Sequence, residues 1–366
     1  MVDNNLGIYI HVPFCMSKCP YCNFYSLTNT ENIGEFTRTV CNEIKNWGSK
    51  LDKTVDTIYF GGGTPSILPS DNIVEILQTV NNSFFVKTPE ITLEVNPANY
   101  GLLDFRKLNF FGVNRISLGA QSFENSQLRI LERNHNRKDI FSAIEVIKLA
   151  GIKNISLDII LGTPEQKLKY IDDFVDYCEE NSITHISAYM LKVEEGTPYY
   201  LNKNNFKFFC DDDIADMYLH ICKLAKKREY EHYEISNFAK KGFESKHNLK
   251  YWRLKNYLGI GPSAHSLVDG KRFYYPNNLF NFVSNPRIII DGECEWEKEF
   301  MMLGLRMKSG ITNESFKNVF GRNIPDVYFK RAKKFEKYGL INLSNDKISL
   351  TTRGFLLSNY IISEII

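Results

Sequence analysis

Cys15-Met-Ser-Lys-Cys19-Pro-Tyr-Cys22 directly follows the apolar segment Ile8-Tyr-Ile-His-Val-Pro13 and brings three cysteines into one short stretch. A [4Fe–4S] cluster is normally bound by four thiolates, one for each iron. Three thiolates in one loop leave one iron free to bind a small molecule through nitrogen and oxygen. Zinc is the rival metal, but zinc usually takes four ligands from paired Cys or His motifs, and no second motif lies nearby. Three unrelated buried thiols are the remaining alternative, so the spacing favours an iron–sulfur cluster.

The composition is that of an ordinary globular protein of 366 residues, long enough for two or three domains. Lys and Arg number 45 and Asp and Glu 43, so the net charge of +2 gives no whole-chain indication of nucleic-acid binding. The first residues lack the pattern of a signal peptide, and no apolar run is long enough to cross a membrane. We therefore expect a cytoplasmic protein whose cysteines are reduced, buried or bound to metal.

The first half of the chain alternates strand and helix patterns. Six β-branched apolar segments are separated by segments that carry apolar residues at helical spacing. Short connections and strands that are apolar on both faces predict a parallel sheet covered by helices. The predicted strands are 8–13, 55–60, 91–96, 115–121, 154–161 and 185–191.

Polar residues fall within or just after the C-terminal parts of successive predicted strands. In barrels built from βα units, the chemistry is carried by that rim. This placement favours an α/β fold with an open (β/α)6 partial barrel of the TIM type, over residues 1–195, rather than a doubly wound sheet. The rim residues are Cys15, Thr64, Glu94, Gln121 and Asp158.

The rest of the chain divides into two blocks. Residues 196–296 are rich in Gly and aromatic residues, which indicates loops and short strands that complete the site. Residues 297–366 contain three helical segments and a hairpin, which predict a small winged-helix-like α+β domain. This block holds 12 Lys and Arg against 7 Asp and Glu. Because no basic recognition helix stands out, a structural or docking role is favoured over DNA binding.

Five motifs together carry a family resemblance. The chain resembles the oxygen-independent coproporphyrinogen III oxidase family of radical S-adenosylmethionine (SAM) proteins over nearly its whole length. The motifs are Tyr9-x-His11-x-Pro13-Phe14-Cys15 with Cys19 and Cys22, Gly61-Gly-Gly-Thr-Pro65, Leu93-Glu-Val-Asn-Pro97, Gly119-Ala-Gln-Ser-Phe123, and Leu157-Asp158 followed by Gly162-Thr-Pro164.

The resemblance implies a [4Fe–4S] cluster on the three cysteines, with SAM bound at its open iron. An electron donor would reduce the cluster, and reductive cleavage of SAM would give a 5′-deoxyadenosyl radical. SAM carries an ammonium and a sulfonium, so nearby carboxylates would offset its charge, and an arginine can bind a carboxylate through two nitrogens. The implied cluster ligands are Cys15, Cys19 and Cys22. The residues implied to contact SAM or a second SAM-like site are Tyr9, Tyr21, Gly62, Gly63, Thr64, Glu94, Gln121, Arg133 and Asp158.

Two departures separate the chain from the coproporphyrinogen III dehydrogenase itself. Phe24 stands where that enzyme has a fourth cysteine, and a shorter segment precedes Cys15. The segments Tyr233-Glu-Ile-Ser-Asn-Phe-Ala-Lys240 and His247-Asn-Leu-Lys-Tyr-Trp252 are instead similar to the haem-chaperone branch. Members of that branch bind haem and deliver it to respiratory haem proteins at the cytoplasmic membrane.

We therefore expect a haem chaperone with a radical-SAM core, and with only peripheral membrane association. Imidazole is a common axial ligand of haem iron, so His247 and His265 are the candidate haem ligands. Two other functions stay open: the oxidative decarboxylation of coproporphyrinogen III, and a regulator that uses the cluster as a redox sensor. The sequence leaves open whether the protein is an enzyme, which protein accepts the haem, and whether the chain forms a homodimer.

Overall fold

The computed structural model describes residues 4–292 and 294–366, and its centre is one large mixed sheet. Six parallel strands lie side by side in chain order in the middle of this sheet. They are β1 (Asn5–Val12), β2 (Thr54–Gly62), β3 (Phe85–Val95), β4 (Arg115–Gln121), β5 (Asn154–Leu161) and β6 (His185–Met190). The six predicted strands and their parallel order are confirmed.

Helices connect these strands, and their apolar faces share one hydrophobic core with the sheet. They are α1 (Ile33–Gly48), α2 (Ser70–Ser83), α3 (Phe105–Phe110), α4 (Asn125–Ile130), α5 (Arg137–Leu149) and α6 (Leu168–Glu180). The predicted α/β fold, a series of βα units with parallel strands, is therefore confirmed.

Strand β1 shows why the two faces of the sheet differ. Ile8 is fully buried in the core that also contains Phe36 of α1. Because successive side chains of a strand point to opposite faces, the neighbouring Tyr9 faces the other way. Its ring lies 6.2 Å from the ring of Tyr59 on β2. The helices thus cover an apolar outer face, and the concave inner face carries polar groups.

The segment after β6 extends the same sheet at both edges. On one side β8 (Asn237–Ala239) pairs antiparallel with β6, and β7 (Glu231–Glu234) follows it. On the other side β9 (Tyr257–Ile260) pairs parallel with β1. The outer strands there are β10 (His265–Val268), β11 (Lys271–Tyr274) and β12 (Ile289–Ile290), and the helices of this segment are α7 (Pro198–Leu201), α8 (Asp211–Lys227), α9 (Lys246–Trp252) and α10 (Leu279–Ser284).

The C-terminal domain contains more elements than the sequence predicted. Besides three helices and a hairpin, it has a third strand and two terminal helices, and its small antiparallel sheet has the order β13-β15-β14. Its elements are α11 (Trp296–Gly304), β13 (Ile311–Thr312), α12 (Asn313–Phe320), α13 (Asp326–Glu336), β14 (Ile341–Ser344), β15 (Lys347–Leu350), α14 (Thr352–Leu356) and α15 (Ser358–Ile365).

Backbone hydrogen bonds tie this domain to the β7 edge of the large sheet. The Ile235 N–H donates to the Arg306 carbonyl and the Lys308 N–H donates to the Tyr233 carbonyl, each at 3.0 Å. Within the described ranges, no helix has both the length and the apolar character needed to cross a bilayer.

Candidate functional site

The cysteine loop leaves the C-terminal end of β1 and is held by its own backbone. The Cys15 N–H donates to the Leu27 carbonyl at 2.9 Å, and the Leu27 N–H donates to the Pro13 carbonyl at 2.7 Å. The Cys22 N–H donates to the Cys19 carbonyl at 3.1 Å. Cys15 is buried, whereas the other two thiols are half-buried. The loop therefore presents its three thiols at the rim of the barrel.

These thiols have hydrogen-bond donors suited to thiolates. The Thr64 hydroxyl donates to Cys15 Sγ at 3.3 Å, and Arg133 Nη1 donates to Cys19 Sγ at 3.4 Å. Among the described residues, no three His, Cys, Asp or Glu side chains converge as a single metal ion requires. Three thiols in one loop fit a [4Fe–4S] cluster, because each thiolate would bind a different iron of a larger group.

The segment Gly61-Gly-Gly-Thr-Pro65 packs directly against the start of the cysteine loop. The Gly63 N–H donates to the Val12 carbonyl at 2.8 Å, and the Thr64 N–H donates to the Phe14 carbonyl at 2.7 Å. A Cβ atom on Gly63 would lie 2.6 Å from the Phe14 oxygen, so only glycine allows this approach. Gly62 has φ +109°, a conformation that side chains other than glycine rarely adopt.

Arg133 links the cysteine loop to strand β4. Its Nη1 donates to the Tyr21 hydroxyl at 3.4 Å and its Nη2 to the Gly119 carbonyl at 3.2 Å. Its Nε is buried without a hydrogen-bond partner among the described residues. Gln121, at the end of β4, has φ +65°, so the backbone is strained where the strand meets the rim. This side of the rim therefore has spare donor capacity for an anionic group.

Two carboxylates, Glu94 and Asp158, line the inner face below the rim. The Tyr59 hydroxyl donates to Glu94 Oε1 at 2.8 Å, and the Ser117 hydroxyl donates to Asp158 Oδ1 at 3.3 Å. Burial raises the pKa of Glu94 to about 7 and the pKa of Asp158 to about 6. Because burial disfavours the ionised forms, this recess would be stabilised by a cationic ligand.

A buried guanidinium lies deeper in the barrel, and the sequence analysis missed it. Arg115, the first residue of β4, is 1% exposed, and its Nε and Nη1 have no hydrogen-bond partner among the described residues. Buried cations are normally paired. Without a direct partner at these two nitrogens, Arg115 offsets the negative charge of Glu90 and Asp158 at longer range. The available signal was a charged residue that opens an otherwise apolar strand, Arg115-Ile-Ser-Leu.

His247, one of the two predicted haem ligands, is fully buried on α9. Its Nδ1 is hydrogen-bonded to the Thr57 hydroxyl and its Nε2 to the Tyr251 hydroxyl, each at 2.8 Å. The imidazole also stacks on the Tyr59 ring, with centroids 5.2 Å apart. An iron could reach this histidine only if one of these hydrogen bonds broke and the interior opened. The packing therefore argues against His247 as a haem ligand.

His265, the other predicted haem ligand, is exposed at the start of β10. Its ring stacks on Tyr274 of β11, with centroids 5.0 Å apart. Leu267 lies opposite Tyr257, and Gly259 lies opposite Tyr9. Because strand side chains alternate, this register puts His265 on the inner face of the sheet. The structure thus places an accessible imidazole where that inner face opens to solvent.

Comparisons with known families and structures agree with this fold. Residues 9–178 match the Radical SAM superfamily, and residues 298–357 match the HemN C-terminal domain. The chain also superposes on the structure titled "Coproporphyrinogen III oxidase (HemN) from Escherichia coli is a Radical SAM enzyme", with a TM-score of 0.82 and 18% identity over 99% of this chain and 90% of that one. The class is thus a radical SAM protein with a HemN-type C-terminal domain.

Relatives that span the whole chain narrow this class. A "Heme chaperone HemW" of Lactococcus lactis is 31% identical over 100% of this chain and 98% of its own length. A protein of the same name from Bacillus subtilis is 31% identical over 96% of each chain. "Radical S-adenosyl methionine domain-containing protein 1, mitochondrial" of Danio rerio is 30% identical over 98% of this chain and 86% of that protein. The chain therefore belongs to the HemN-like radical SAM proteins, in the HemW branch.

Proposed function

We propose that this protein is a haem chaperone that binds haem and transfers it to respiratory haem proteins. The observation that carries the proposal is the similarity, over the full length and both domains, to proteins named Heme chaperone HemW. Phe24 supports it, because this side chain on the cysteine loop is 67% exposed and occupies the position where the dehydrogenase has its fourth cysteine.

The radical-SAM core of the proposal rests on the geometry of the rim. Membership of the superfamily implies a [4Fe–4S] cluster and SAM, and such a cluster supplies a single electron to SAM. We assign the cluster to Cys15, Cys19 and Cys22. Thr64 and Arg133 would then donate hydrogen bonds to cluster-bound sulfur, which tunes its reduction potential.

For SAM, the residues around the rim offer complementary groups. Gly62 and Gly63 would let a ligand such as the methionine part of SAM approach the backbone, and Arg133 has a free Nε for an anionic group. Glu94 and Asp158 would hold negative charge beneath the sulfonium. Tyr9, Tyr21 and Gln121 would complete the walls of this site.

For haem, we assign His265 as the iron ligand rather than His247. The His265 imidazole is exposed, whereas both ring nitrogens of His247 are engaged. Tyr274 stacks on the imidazole and would fix its orientation. Haem-accepting respiratory proteins and an electron donor for the cluster are the proposed partners, in the cytoplasm or at the surface of the cytoplasmic membrane, and we propose no nucleic-acid partner.

A haem titration with two histidine variants tests this assignment. His265→Ala should shift the Soret band and weaken haem binding by about tenfold or more, since an axial bond is lost. His247→Gln is the control: it replaces the buried histidine with another hydrogen-bonding side chain and should leave the spectrum unchanged. If only the His247 variant altered the spectrum, the ligand assignment would be wrong.

A second assay distinguishes the chaperone from the enzyme. The reconstituted protein is incubated anaerobically with coproporphyrinogen III, SAM and a reductant, and porphyrin products are separated by chromatography. We expect no protoporphyrinogen IX. Formation of protoporphyrinogen IX with multiple turnovers would instead establish the dehydrogenase activity.

A further inference from the structure

His185, the first residue of β6, is a buried titratable side chain with no role yet in the proposed site. It is 1% exposed and lies opposite Ser156 of β5. Its Nδ1 is hydrogen-bonded to the Ser156 hydroxyl at 2.7 Å, and its Nε2 to the Tyr233 hydroxyl at 2.8 Å. Burial lowers the pKa of His185 well below its usual value, so the imidazole is neutral. A neutral imidazole donates through one ring nitrogen and accepts through the other, so two tautomers are conceivable.

The Tyr233 hydroxyl decides between the two tautomers. Its oxygen accepts the Ser245 N–H at 3.3 Å. Burial raises the pKa of Tyr233, so the phenol keeps its proton. In the part of the chain that the structure describes, His185 Nε2 is the only acceptor within hydrogen-bond distance of this hydroxyl. Because a buried donor without an acceptor is costly, the hydroxyl donates to Nε2. The proton of His185 is then on Nδ1, which donates it to Ser156.

From Ser156 the same direction of donation continues to Asp158. A hydroxyl that accepts from Nδ1 gives its own proton to another acceptor. Two oxygens lie within reach, Ser187 Oγ at 3.2 Å and Asp158 Oδ1 at 3.5 Å. Ser187 lies opposite Asp158 in the register of β5 and β6 and is itself hydrogen-bonded to the carboxylate. The protons of this hydrogen-bond network therefore point toward Asp158, either directly or through Ser187.

We propose that His185 is a positioning residue that, as the Nδ1–H tautomer, orients the Ser156 and Ser187 hydroxyls toward Asp158 and favours its carboxylate form beneath SAM. This inference deepens the proposed function and rests on it for the role of SAM. Burial raises the pKa of Asp158 to about 6, and hydrogen bonds to the ionised form oppose that rise. His185 acts on the carboxylate through the two serines.

The other charged and titratable groups around Asp158 act through their charge. Arg115 of β4 attracts the carboxylate, whereas Glu94 of β3 repels it. Tyr189 of β6 stays neutral, because burial raises the pKa of its phenol. Arg115 also disfavours a charge on His185, which keeps the imidazole neutral. Among these groups, His185 is the one that sets the direction of the hydroxyl protons.

The tautomer can be observed directly and without SAM. In the cluster-reconstituted protein with isotope-labelled histidine, long-range proton–nitrogen correlation spectra distinguish a protonated Nδ1 from a protonated Nε2. The signals of His185 are those that His185→Asn lacks. We expect the Nδ1–H tautomer at about pH 8, where the imidazole is neutral. An Nε2–H tautomer overturns the inference, whatever the protein does with SAM.

Two substitutions of His185 separate its hydrogen bond from its packing. His185→Asn places an amide N–H at the position of Nδ1 and still donates to Ser156, whereas His185→Gln places its amide at the position of Nε2. We expect His185→Gln to weaken SAM binding by about threefold at about pH 6.5 and to move the rise of affinity upward by about half a pH unit. His185→Asn should stay closer to the wild-type protein. A purely structural role predicts the reverse order, because the smaller Asn leaves the larger cavity.

Equilibrium dialysis with radiolabelled SAM between about pH 5.5 and pH 8 measures both effects. Asp158→Asn is the reference variant, since it removes the carboxylate on which the network acts. A wild-type protein that binds no SAM refutes the SAM site of the proposed function and this inference with it. If the wild-type protein binds SAM and Asp158→Asn binds it equally well, the role given to His185 is wrong. If Asp158→Asn weakens binding but His185→Gln binds at least as tightly as His185→Asn, this inference alone fails.

Discussion

The three thiols of the cysteine loop differ in their surroundings. Cys15 is buried and accepts a hydrogen bond from Thr64, whereas the half-buried Cys19 accepts one from the Arg133 guanidinium. Charged donors of this kind form the stronger hydrogen bonds to anionic sulfur. Cys19 is thus the thiol that accepts the charged hydrogen bond, and it holds Arg133 together with Tyr21 and Gly119.

Cys19→Ala should lose most of the bound iron and sulfide together with the cluster absorbance near 400 nm, an order-of-magnitude loss, because two thiolates rarely retain a [4Fe–4S] cluster. Iron and sulfide analysis after anaerobic reconstitution measures it. Cys210→Ser, which changes an exposed thiol far along the chain, is the control. A full complement of iron and sulfide in the Cys19 variant would refute the ligand assignment.

Glu94 should make SAM binding depend on pH. Burial raises the pKa of Glu94 to about 7 and the pKa of Asp158 to about 6. Below these values the carboxyls are neutral, so affinity for a cationic ligand should rise between pH 6 and pH 8. Glu94→Gln should flatten this rise and weaken binding by about tenfold at pH 8, since one neighbouring charge is lost. Equilibrium dialysis with radiolabelled SAM measures both effects.

The exposed Glu145→Gln on α5 is the control for this experiment and should bind SAM as the wild-type protein does. If Glu94→Gln kept the wild-type pH dependence, Glu94 would have no part in the SAM site.

At this scale the sequence predicted residue identities better than residue environments. Thr64 and Arg133 could be selected from the family resemblance, and the structure brings Thr64 to Cys15 and Arg133 to Cys19. The burial of His247 could not be predicted, since its partners Thr57 and Tyr251 form a packed cluster only after β2 and α9 meet. A histidine in a polar motif looks the same before folding whether it is exposed or enclosed.

Two loops that are distant in sequence act as one element at the rim. The glycine-rich segment after β2 donates two backbone hydrogen bonds to the residues around the start of the cysteine loop. The close approach depends on Gly63, where any side chain would meet the Phe14 carbonyl. The position of the thiols therefore depends on a glycine that does not bind the cluster.

Gly63→Ala should separate these two loops and reduce the retained cluster by several-fold, because a Cβ at 2.6 Å from the Phe14 oxygen forces one strand end to shift. Circular dichroism should show unchanged secondary structure, and iron analysis should show the loss. Gly34→Ala on α1 is the matched control, since a Cβ there has open space around it. Wild-type iron content in Gly63→Ala would show that the contact does not control the thiols.

Helices and strands could be predicted where the spacing of apolar residues within one short segment determines them. The strands β1 to β6 are apolar, β-branched and separated by periodic helices, so their order followed from the sequence. The pairing of β9 with β1 could not be predicted, because β9 is a very short strand and paired residues such as Gly7 and Tyr257 are far apart in the sequence. Helix α15 did have a signal, since Ile361, Ile362 and Ile365 recur at helical spacing.

On the scale of the whole molecule, the C-terminal domain is docked on a buried carboxyl. Glu234 is 1% exposed beside the bridge to Met307, and its Oε1 accepts a hydrogen bond from the Ser236 N–H at 3.1 Å. Burial raises the pKa of Glu234 to about 7. The folded protein therefore holds a proton here that the unfolded chain releases at lower pH.

Because the pKa of this buried carboxyl is raised, the free energy of unfolding should fall as the pH rises. A folded pKa above the unfolded value gives most stability below about pH 4.5, and that stability is lost progressively up to about pH 7. Glu234→Gln should reduce the loss between pH 5 and pH 7.5 by about 1–3 kcal/mol. Urea unfolding at the two pH values measures it, and the exposed Glu231→Gln on the same strand should leave it unchanged. An identical loss in all three proteins would contradict the shifted pKa.

The most direct test of the whole account is haem transfer. The haem-loaded protein is mixed with a respiratory haem protein in its apo form, the two are separated, and the haem on each is measured by absorbance. We expect haem to leave this chain for the apo protein faster than free dissociation allows, and we expect His265→Ala to carry less haem and to transfer less. Haem that moves no faster than it dissociates into solution would contradict a chaperone function.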